Sequence, residues 1–242
     1  MSGKDITLPK EDEVAFKQQD DPSSTKNTAA ATPSKAAGFL SFRQLNALAV
    51  IIVFSASGMV SLEDFAFVIF SVIYLYFLSK VAFPTLHPTR EPRVYDPNNR
   101  VLRLYVLAAA VIGLLLPIAY IFEGILEGDK EGIQAAAPHV FLLSSQVFME
   151  GLAFSDRFST PIRVFVPVFY NSRRIFTLVD WLKSEISKVE GEYGGSARRL
   201  YIGRALAVTN MALWCFNLFG FLLPFYLPKA FKKYYSALKV KD

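Results

Sequence analysis

Long apolar runs, separated by short polar segments, occupy most of the chain after residue 38. Each run supplies roughly 28 to 36 Å of helix at ~1.5 Å per residue, which suits a hydrocarbon layer about 30 Å thick. We therefore predict an all-α, multi-pass helical membrane protein, with a membrane domain at 39–228 and a basic C-terminal tail at 229–242. The predicted spans cover about 44–62, 65–83, 104–122, 133–154 and 205–228.

A very short polar turn, with the sequence SLED, joins the first two predicted spans. Ser61 is a good N-cap, and Asp64 falls at the third helical position, where a carboxylate suits a helix start. The pattern indicates a tight helical hairpin, which either crosses the membrane twice or sits in it as a shallow wedge.

The stretch VFMEGLAFSDRFSTPIRVFVPVFYNSRRIF, 147–176, is apolar but interrupted by charges and prolines. Its middle, 158–172, gives only about 22 Å of helix. It also carries Arg163, which costs roughly 2.5 to 3.5 kcal/mol at the bilayer centre. Pro161 and Pro167 leave backbone groups that lipid cannot hydrogen-bond. We predict that 158–172 is an interfacial segment and does not cross the membrane.

The next segment, 174–190, has an amphipathic helical pattern. Apolar residues recur at spacings of three and four, and most other positions are charged or hydroxylated. Arg173, Arg174, Trp181 and Lys183 suit a lipid interface, including anionic headgroups. The alternative is that the apolar face packs against the membrane bundle or a partner. The apolar positions are Ile175, Leu178, Val179, Leu182, Ile186 and Val189.

Charge distribution leaves the number of spans open between four, five and six. Five spans with a cytosolic N-terminus place the acidic loop EGILEGDKEG, 123–132, outside and most basic residues inside, following the positive-inside rule. The same count sends the basic tail, 229–242, to the non-cytosolic side, against that rule. A shallow hairpin at 205–228 would return the tail to the cytosol, so the side of the C-terminus also stays open.

Five polar residues in the predicted spans are candidate functional residues. On a helix, His139, Gln146 and Glu150 share a narrow stripe, and Asn210 and Asn217 share a face of the last span. Ionisable groups inside membranes are typical of proton or solute pathways. A hydrogen-bonded contact between helices explains the same pattern, and we favour this second interpretation because three polar residues do not by themselves make a pathway; the face with Asn210 and Asn217 is the candidate partner of the stripe.

Composition agrees with a membrane protein, since 52% of the 242 residues are hydrophobic. The net charge of +5 comes from basic residues that flank apolar runs, so no nucleic-acid partner is predicted. The single cysteine, Cys215, rules out an intrachain disulfide and a multi-cysteine zinc site. Residues 1–38 are polar and are predicted to form a disordered cytosolic tail.

Motifs of known chemistry are missing from the sequence, which contains no Walker-type loop, GxGxxG, HExxH, GxSxG or CxxC. We therefore predict a non-enzymatic protein with no catalytic residues, no cofactor and no metal site.

Three blocks of sequence resemble a known family: FRQLNALAVIIVFSASGMVSLEDFAFVIFS, AAPHVFLLSSQVFMEG and PIRVFVPVFYNSRRIFTLVDWL. The chain resembles, from about Phe39 to its C-terminus, a land-plant family of uncharacterised multi-pass membrane proteins defined by a domain of unknown function. The resemblance implies a plant membrane setting. It supplies no activity and no functional residues.

These patterns favour a membrane organiser or adaptor, because a hairpin, an interfacial helix and a disordered tail can shape membranes or recruit partners. The expected partners are the lipid bilayer, with its anionic headgroups, and proteins that bind the N-terminal tail. The alternative is a small solute or proton transporter or channel that uses the polar stripe. The expected location is the endomembrane system or the plasma membrane, with a cytosolic N-terminus.

Overall fold

The computed structural model describes residues 42–56, 58–86, 94–96, 98–154, 158–189 and 196–241, and every regular element in them is helical. The all-α prediction is confirmed for this part of the chain, and the predicted tail at 1–38 lies outside it. A π-helical turn, Val111–Leu115, joins α3 to α4, and a π-helical stretch, Phe216–Tyr226, joins α7 to α8. The helices are α1 (Phe42–Ala56), α2 (Leu62–Val81), α3 (Arg100–Ala110), α4 (Leu116–Glu127), α5 (Lys130–Ala153), α6 (Thr160–Ser187), α7 (Ala197–Cys215) and α8 (Leu227–Lys241).

A sharp turn separates the first two helices. Gly58 has a left-handed backbone (φ 68°), which glycine adopts without steric cost. Ser61 then caps α2, since its Oγ accepts from the Asp64 backbone N–H at 3.2 Å and donates to the Asp64 carboxylate at 2.9 Å. The predicted cap is confirmed. The predicted first span, 44–62, is too long, because α1 ends at Ala56 and the chain turns at Gly58.

The helices pack side by side with alternating directions. Asp64 in the first turn of α2 pairs with Arg173 in the middle of α6 at 2.9 Å. Ser159, just before α6, donates to the Phe83 carbonyl after α2 at 2.7 Å. Hence α2 and α6 are antiparallel. We call the end of the bundle where α6 starts the Ser159 end, and the opposite end, where α5 starts next to Asp129, the Asp129 end.

The central helix is α6, which contacts α2, α5, α7 and α8. Arg174 contacts Gln146 of α5, and two helical turns further along α6 Trp181 packs beside His139 of the same helix. These two pairs make α5 antiparallel to α6. The same holds for α7, whose pairs with α6 are Trp214 with Arg174 and Gly203 with Glu185.

One continuous helix, α6, replaces the predicted division into an interfacial segment, 158–172, and a separate amphipathic helix, 174–190. That division is wrong, because α6 extends unbroken from Thr160 to Ser187, about 42 Å at ~1.5 Å per residue. Pro161 occupies the first turn, where a missing N–H breaks no helical bond. Pro167 is buried inside the bundle, where neighbouring helices rather than lipid surround it.

The predicted apolar face of α6 is only partly buried, since Leu178 is fully buried and Ile175 and Leu182 pack against the core. Arg174 and Glu185 are fully buried, whereas Ile186 and Val189 of the predicted apolar face are 63% and 59% exposed. A soluble helix hides its apolar face, but a helix in lipid turns its ionisable groups toward the bundle interior. On α2 the same distribution recurs, with buried serines and exposed phenylalanine, isoleucine and tyrosine side chains.

Three helices in the described part of the chain are long and apolar enough to cross a membrane: Leu62–Val81, Arg100–Glu127 and Ala197–Lys239. They overlap the predicted spans 65–83, 104–122 and 205–228, and they support the prediction of a membrane protein. The remaining predicted spans correspond to α1, which has only 15 residues, and to α5, whose buried residues include His139, Ser144, Ser145 and Gln146.

The predicted basic tail, 229–242, is mostly helical. Helix α8 packs against the Ser159 end of the bundle, where Tyr234 is buried and its Oη donates to the Pro84 carbonyl at 3.0 Å. The C-terminal lysines therefore belong to a packed helix.

Candidate functional site

Pro117 interrupts the backbone hydrogen bonds of the α3–α4 helix. Because proline has no N–H, the Ile112 and Gly113 carbonyls lose a backbone donor, and the helix widens into its π-helical turn. His139 Nε2 lies 2.8 Å from the Gly113 carbonyl oxygen and must donate to it, since a carbonyl only accepts. Asn210 Nδ2 donates to the Ile112 carbonyl at 3.1 Å. Side chains of α5 and α7 thus supply hydrogen-bond donors in place of the N–H that the proline lacks.

Trp214 packs against the same break. A Cβ atom at Gly113 would lie 2.5 Å from the Trp214 ring, so glycine is needed for this approach. The indole N–H donates to Asn210 Oδ1 at 3.2 Å, and the ring centre lies 6.3 Å from that of His139. Sequence analysis missed Trp214, although spacings of four and three residues place Asn210, Trp214 and Asn217 on one helix face.

Arg174 lies at the middle of α6 and is fully buried. Its Nη1 donates to Gln146 Oε1 at 2.8 Å and its Nη2 to Asn171 Oδ1 at 3.2 Å. The guanidinium carbon lies 3.8 Å from the centre of the Trp214 ring. Within the described ranges no carboxylate oxygen comes within 4.0 Å of Arg174, and its Nε has no acceptor. Amides and an aromatic face therefore hold a charge that burial strongly disfavours.

Gln146 links Arg174 to a carboxylate. Its Oε1 accepts from Arg174 and its Nε2 donates to Glu150 Oε1 at 2.7 Å, so the Gln146 amide bridges the guanidinium and the carboxylate. Glu150 is partly exposed. We call Gln146, Glu150, Asn171, Arg174 and Trp214 the central polar cluster.

The predicted stripe therefore meets partners from α6 and α7. Gln146 and Glu150 belong to the central polar cluster, and His139 and Asn210 contact its Trp214. Asn217 is the outlying member, accepting from Tyr105 Oη at 2.7 Å.

The predicted lipid-interface residues separate into two groups. Arg174 and Trp181 are fully buried, so their assignment to lipid headgroups is wrong; the neighbouring helices cover that side of α6. Arg173 is partly exposed and pairs with Asp64, and Lys183 is exposed.

A second charged cluster lies at the Asp129 end, in residues that were not among the functional candidates chosen from the sequence. Arg199 at the start of α7 is fully buried, and its Nε donates to Asp129 Oδ2 at 2.6 Å. Its Nη1 donates to the Tyr120 carbonyl at 2.9 Å, and its guanidinium carbon lies 4.0 Å from the centre of the Tyr120 ring. The exposed neighbour Arg198 pairs with Glu123 at 2.8 Å. The acidic loop and the basic start of α7 therefore lie at the same end of the bundle.

Glu185 is the innermost acid of this second cluster. Its Oε1 accepts from Lys188 Nζ at 2.7 Å and from Tyr120 Oη at 3.1 Å. Arg204 of α7 donates to the carbonyls of Glu185 and Lys188 at 3.0 and 2.5 Å, which satisfies the end of α6. These contacts join α4, α6 and α7 over separations of 16 to 65 positions, so no local pattern reveals them.

A family model for a domain of unknown function (DUF7733) matches residues 40–235, a range that includes both clusters. The chain belongs to this family. No curated protein and no solved structure matches it. The family resemblance stated from the sequence blocks is confirmed at the level of a domain of unknown function.

The DUF7733 domain also has an open cleft of about 720 Å³ at the Asp129 end, between the start of α2, the first half of α5 and the second half of α6. Thr177 and Trp181 line it, and Thr177 is one helical turn from Arg174. Its charged lining residues are Glu63, Asp64, Glu131, Arg173 and Asp180.

Proposed function

We propose that this DUF7733 protein is a multi-pass membrane protein that binds a small polar solute in its interior and moves it, or a proton, across the membrane. The observation that carries the proposal is Arg174, buried at the middle of α6 with no carboxylate in contact among the described residues. Buried charges of this kind mark solute and proton paths in membrane proteins. Gln146 and Asn171 add directional amides beside it.

The same proposal includes six passes. The contact between Asp129 and Arg199 at 2.6 Å supports this count, because it brings the loops before α5 and before α7 to one end of the bundle. Helix α5 leaves that side and α6 has to return to it, whereas a five-span count puts the two loops on opposite sides. The N-terminus and the basic helix α8 would then both be cytosolic, as the positive-inside rule favours.

A membrane organiser or adaptor is the second candidate, favoured by the α1–α2 hairpin and the exposed apolar face of α2. Its expected interfacial helix is less compatible with the fold, because Arg174 and Trp181 are buried. Protein partners would bind the polar tail, 1–38, at an endomembrane or plasma membrane of a plant cell. Both candidates are non-enzymatic and need no cofactor.

Flux into liposomes that contain the purified full-length protein tests the proposal. The probes are labelled amino acids, amines and inorganic anions, together with protons reported by an entrapped pH-sensitive dye. We expect flux of at least one probe above that of protein-free liposomes. Arg174→Gln and Glu150→Gln should lower it about tenfold, corresponding to a loss of about 1.4 kcal/mol in the transport barrier.

Lys183→Gln is the matched control, since Lys183 is exposed on the same helix and its variant should retain flux. Glu150→Gln keeps the side-chain shape, so it tests the proposal even if Arg174→Gln fails to fold. No flux of any probe, or flux that both substitutions leave unchanged, overturns the proposal. Tubulation of liposomes by a protein without flux would favour the organiser.

A further inference from the structure

The exposed face of α2 changes from apolar to basic in its last turn, at the Ser159 end of the bundle. Ile73 and Phe77 are exposed, and Lys80, three positions after Phe77, continues the same face and is also exposed. The Lys80 ammonium lies 5.6 Å from the centre of the Tyr76 ring. Apolar residues followed by a cation and an aromatic ring are typical of a helix that passes from hydrocarbon into the headgroup layer.

The start of α3 has the same order in reverse. Arg100 and Arg103 are exposed, and the exposed Leu107 continues their face at spacings of three and four. Just before this helix lies Tyr95, whose ring centre is 4.1 Å from the Lys229 ammonium of α8. The basic start of α3 and the basic end of α2 are therefore both at the end where α8 packs.

Helix α8 has two faces of different character. The face with Ala230 and Tyr234 is buried against the bundle. Lys229, Lys232 and Lys239 are exposed, and their spacings of three and seven place them together on the opposite face. No acidic residue occurs between Leu227 and Lys241. We call Lys229, Lys232 and Lys239 the lysine stripe of α8.

The cations of the Ser159 end are not neutralised by the protein. Among the described residues, every ion pair involves Arg173, Lys188, Arg198 or Arg199, none of which lies at this end. The acids on this side are the exposed Asp96 and the partly exposed Glu150, so positive charge remains in excess. The exposed cations without an ion pair in the described part of the chain are Lys80, Arg100, Arg103, Lys229, Lys232 and Lys239.

The depth of these cations favours lipid over a soluble acidic partner. Two of the three helices that carry them end their exposed apolar faces at the cations, so the charges lie where the hydrocarbon gives way to headgroups. Headgroups already surround a membrane protein at this depth, and a soluble partner would have to displace them. Clusters of about four to eight Lys or Arg residues next to a membrane helix attract anionic lipids.

We propose that the Ser159 end of the bundle binds anionic lipid headgroups through the lysine stripe of α8 and the cations at the end of α2 and the start of α3. The lysines donate charge-assisted hydrogen bonds to phosphate and carboxylate oxygens. Tyr235, exposed beside the stripe, suits the same layer. This surface replaces the headgroup contacts that the sequence placed at Arg174 and Trp181. It requires the bundle to lie in a membrane, but it requires no transport.

Lipid selectivity of the full-length protein tests this inference. The protein is reconstituted in phosphatidylcholine bilayers that contain a trace of spin-labelled phosphatidylserine or phosphatidylcholine with the same acyl chains. Electron paramagnetic resonance then measures the fraction of each label that the protein surface immobilises. We expect phosphatidylserine to associate about threefold more strongly or better. Salt at about 1 M, where the Debye length is about 3 Å, should remove most of this preference.

A double variant of the lysine stripe locates the contact. Lys232→Gln with Lys239→Gln removes two exposed charges that have no hydrogen bond or ion pair with the described residues, so the fold should be kept. The preference for phosphatidylserine should fall at least about twofold. Arginine at the same two positions should preserve it. The matched control is Lys130→Gln with Lys183→Gln, which removes two exposed lysines toward the Asp129 end and should leave the preference unchanged.

The inference is overturned if the two labelled lipids associate equally, if the stripe variant keeps the full preference, or if the control variant loses as much. Binding of a polyglutamate peptide without any preference for phosphatidylserine would assign the stripe to an acidic protein and would also overturn it. Solute flux without lipid selectivity would leave transport standing and this inference overturned. Lipid selectivity without flux would have the reverse meaning.

Discussion

Asp129, just before α5, accepts a hydrogen bond from Arg199 of α7 at 2.6 Å, although 70 positions separate the two residues. Both side chains are buried, at 5% and 0% exposure. The pair fastens the α4–α5 loop to the start of α7, and α5 and α6 must therefore form a complete hairpin between them. The direction of α6, and with it the direction of α7 and α8, follows from this contact.

The Asp129–Arg199 pair should be a major contributor to stability. Removing one partner of a buried pair leaves an uncompensated charge, at a cost of about 3 to 5 kcal/mol. Arg199→Gln should lower the free energy of unfolding in detergent by about that amount. Arg198→Gln, at the adjacent exposed pair with Glu123, should cost about 1 kcal/mol or less. Equal losses for the two arginines would contradict a special role for the buried pair.

Membrane sidedness should differ between Lys130 and Ser236, both exposed. In a Cys215→Ser background, single cysteines at these positions are labelled with a membrane-impermeant maleimide in sealed vesicles. Six passes predict labelling from opposite sides, with Ser236 on the cytosolic side. Five passes put both positions on the non-cytosolic side, so labelling of both from one side would exclude the six-pass arrangement.

His139 should stabilise the bundle through the Gly113 carbonyl. His139→Leu leaves that buried acceptor without its side-chain donor, which costs about 1 to 3 kcal/mol. Pro117→Ala restores a backbone N–H near the same carbonyl, so the loss caused by His139→Leu should be smaller in that background. Unfolding of the two single variants and the double variant gives the coupling energy. Additive losses would show that the proline and the histidine act independently.

Gly113 should not tolerate a side chain. The added methyl of Gly113→Ala would lie 2.5 Å from the Trp214 ring and 3.3 Å from Leu143, so the packed helices would have to move apart. Overpacking of this kind costs about 1 to 3 kcal/mol in thermal or denaturant unfolding. Ala110→Val on the same helix is the control, because Ala110 is exposed. A stability of Gly113→Ala equal to that of the control would mean that Trp214 moves aside freely.

For helix α6 the sequence pattern predicted the secondary structure but not which residues are buried. The periodicity from Ile175 to Ile186 correctly indicated a helix, but the face assumed to be buried includes the exposed Ile186. Periodicity reports that two faces differ, whereas the surroundings decide which face points inward. The break expected near Arg173 does not occur, because α2, α5 and α7 surround the segment and compensate for its charges and prolines.

Only part of the candidate site could likewise be predicted from the sequence. His139, Gln146, Glu150 and Asn210 were selected because helical geometry aligns them within single segments. Arg174 joined them only in the folded chain, since its contact with Gln146 spans 28 positions.

Local residues by themselves determined the helical class, the Ser61 cap and the apolar helices α2, α3–α4 and α7–α8, because caps and apolar runs act within a few neighbouring positions. Only the tertiary structure decided that α6 is a single continuous helix, that Arg174 and Trp181 face inward, and that Arg199 contacts Asp129. A buried charge depends on partners from distant helices, and no local pattern encodes which helices will supply them.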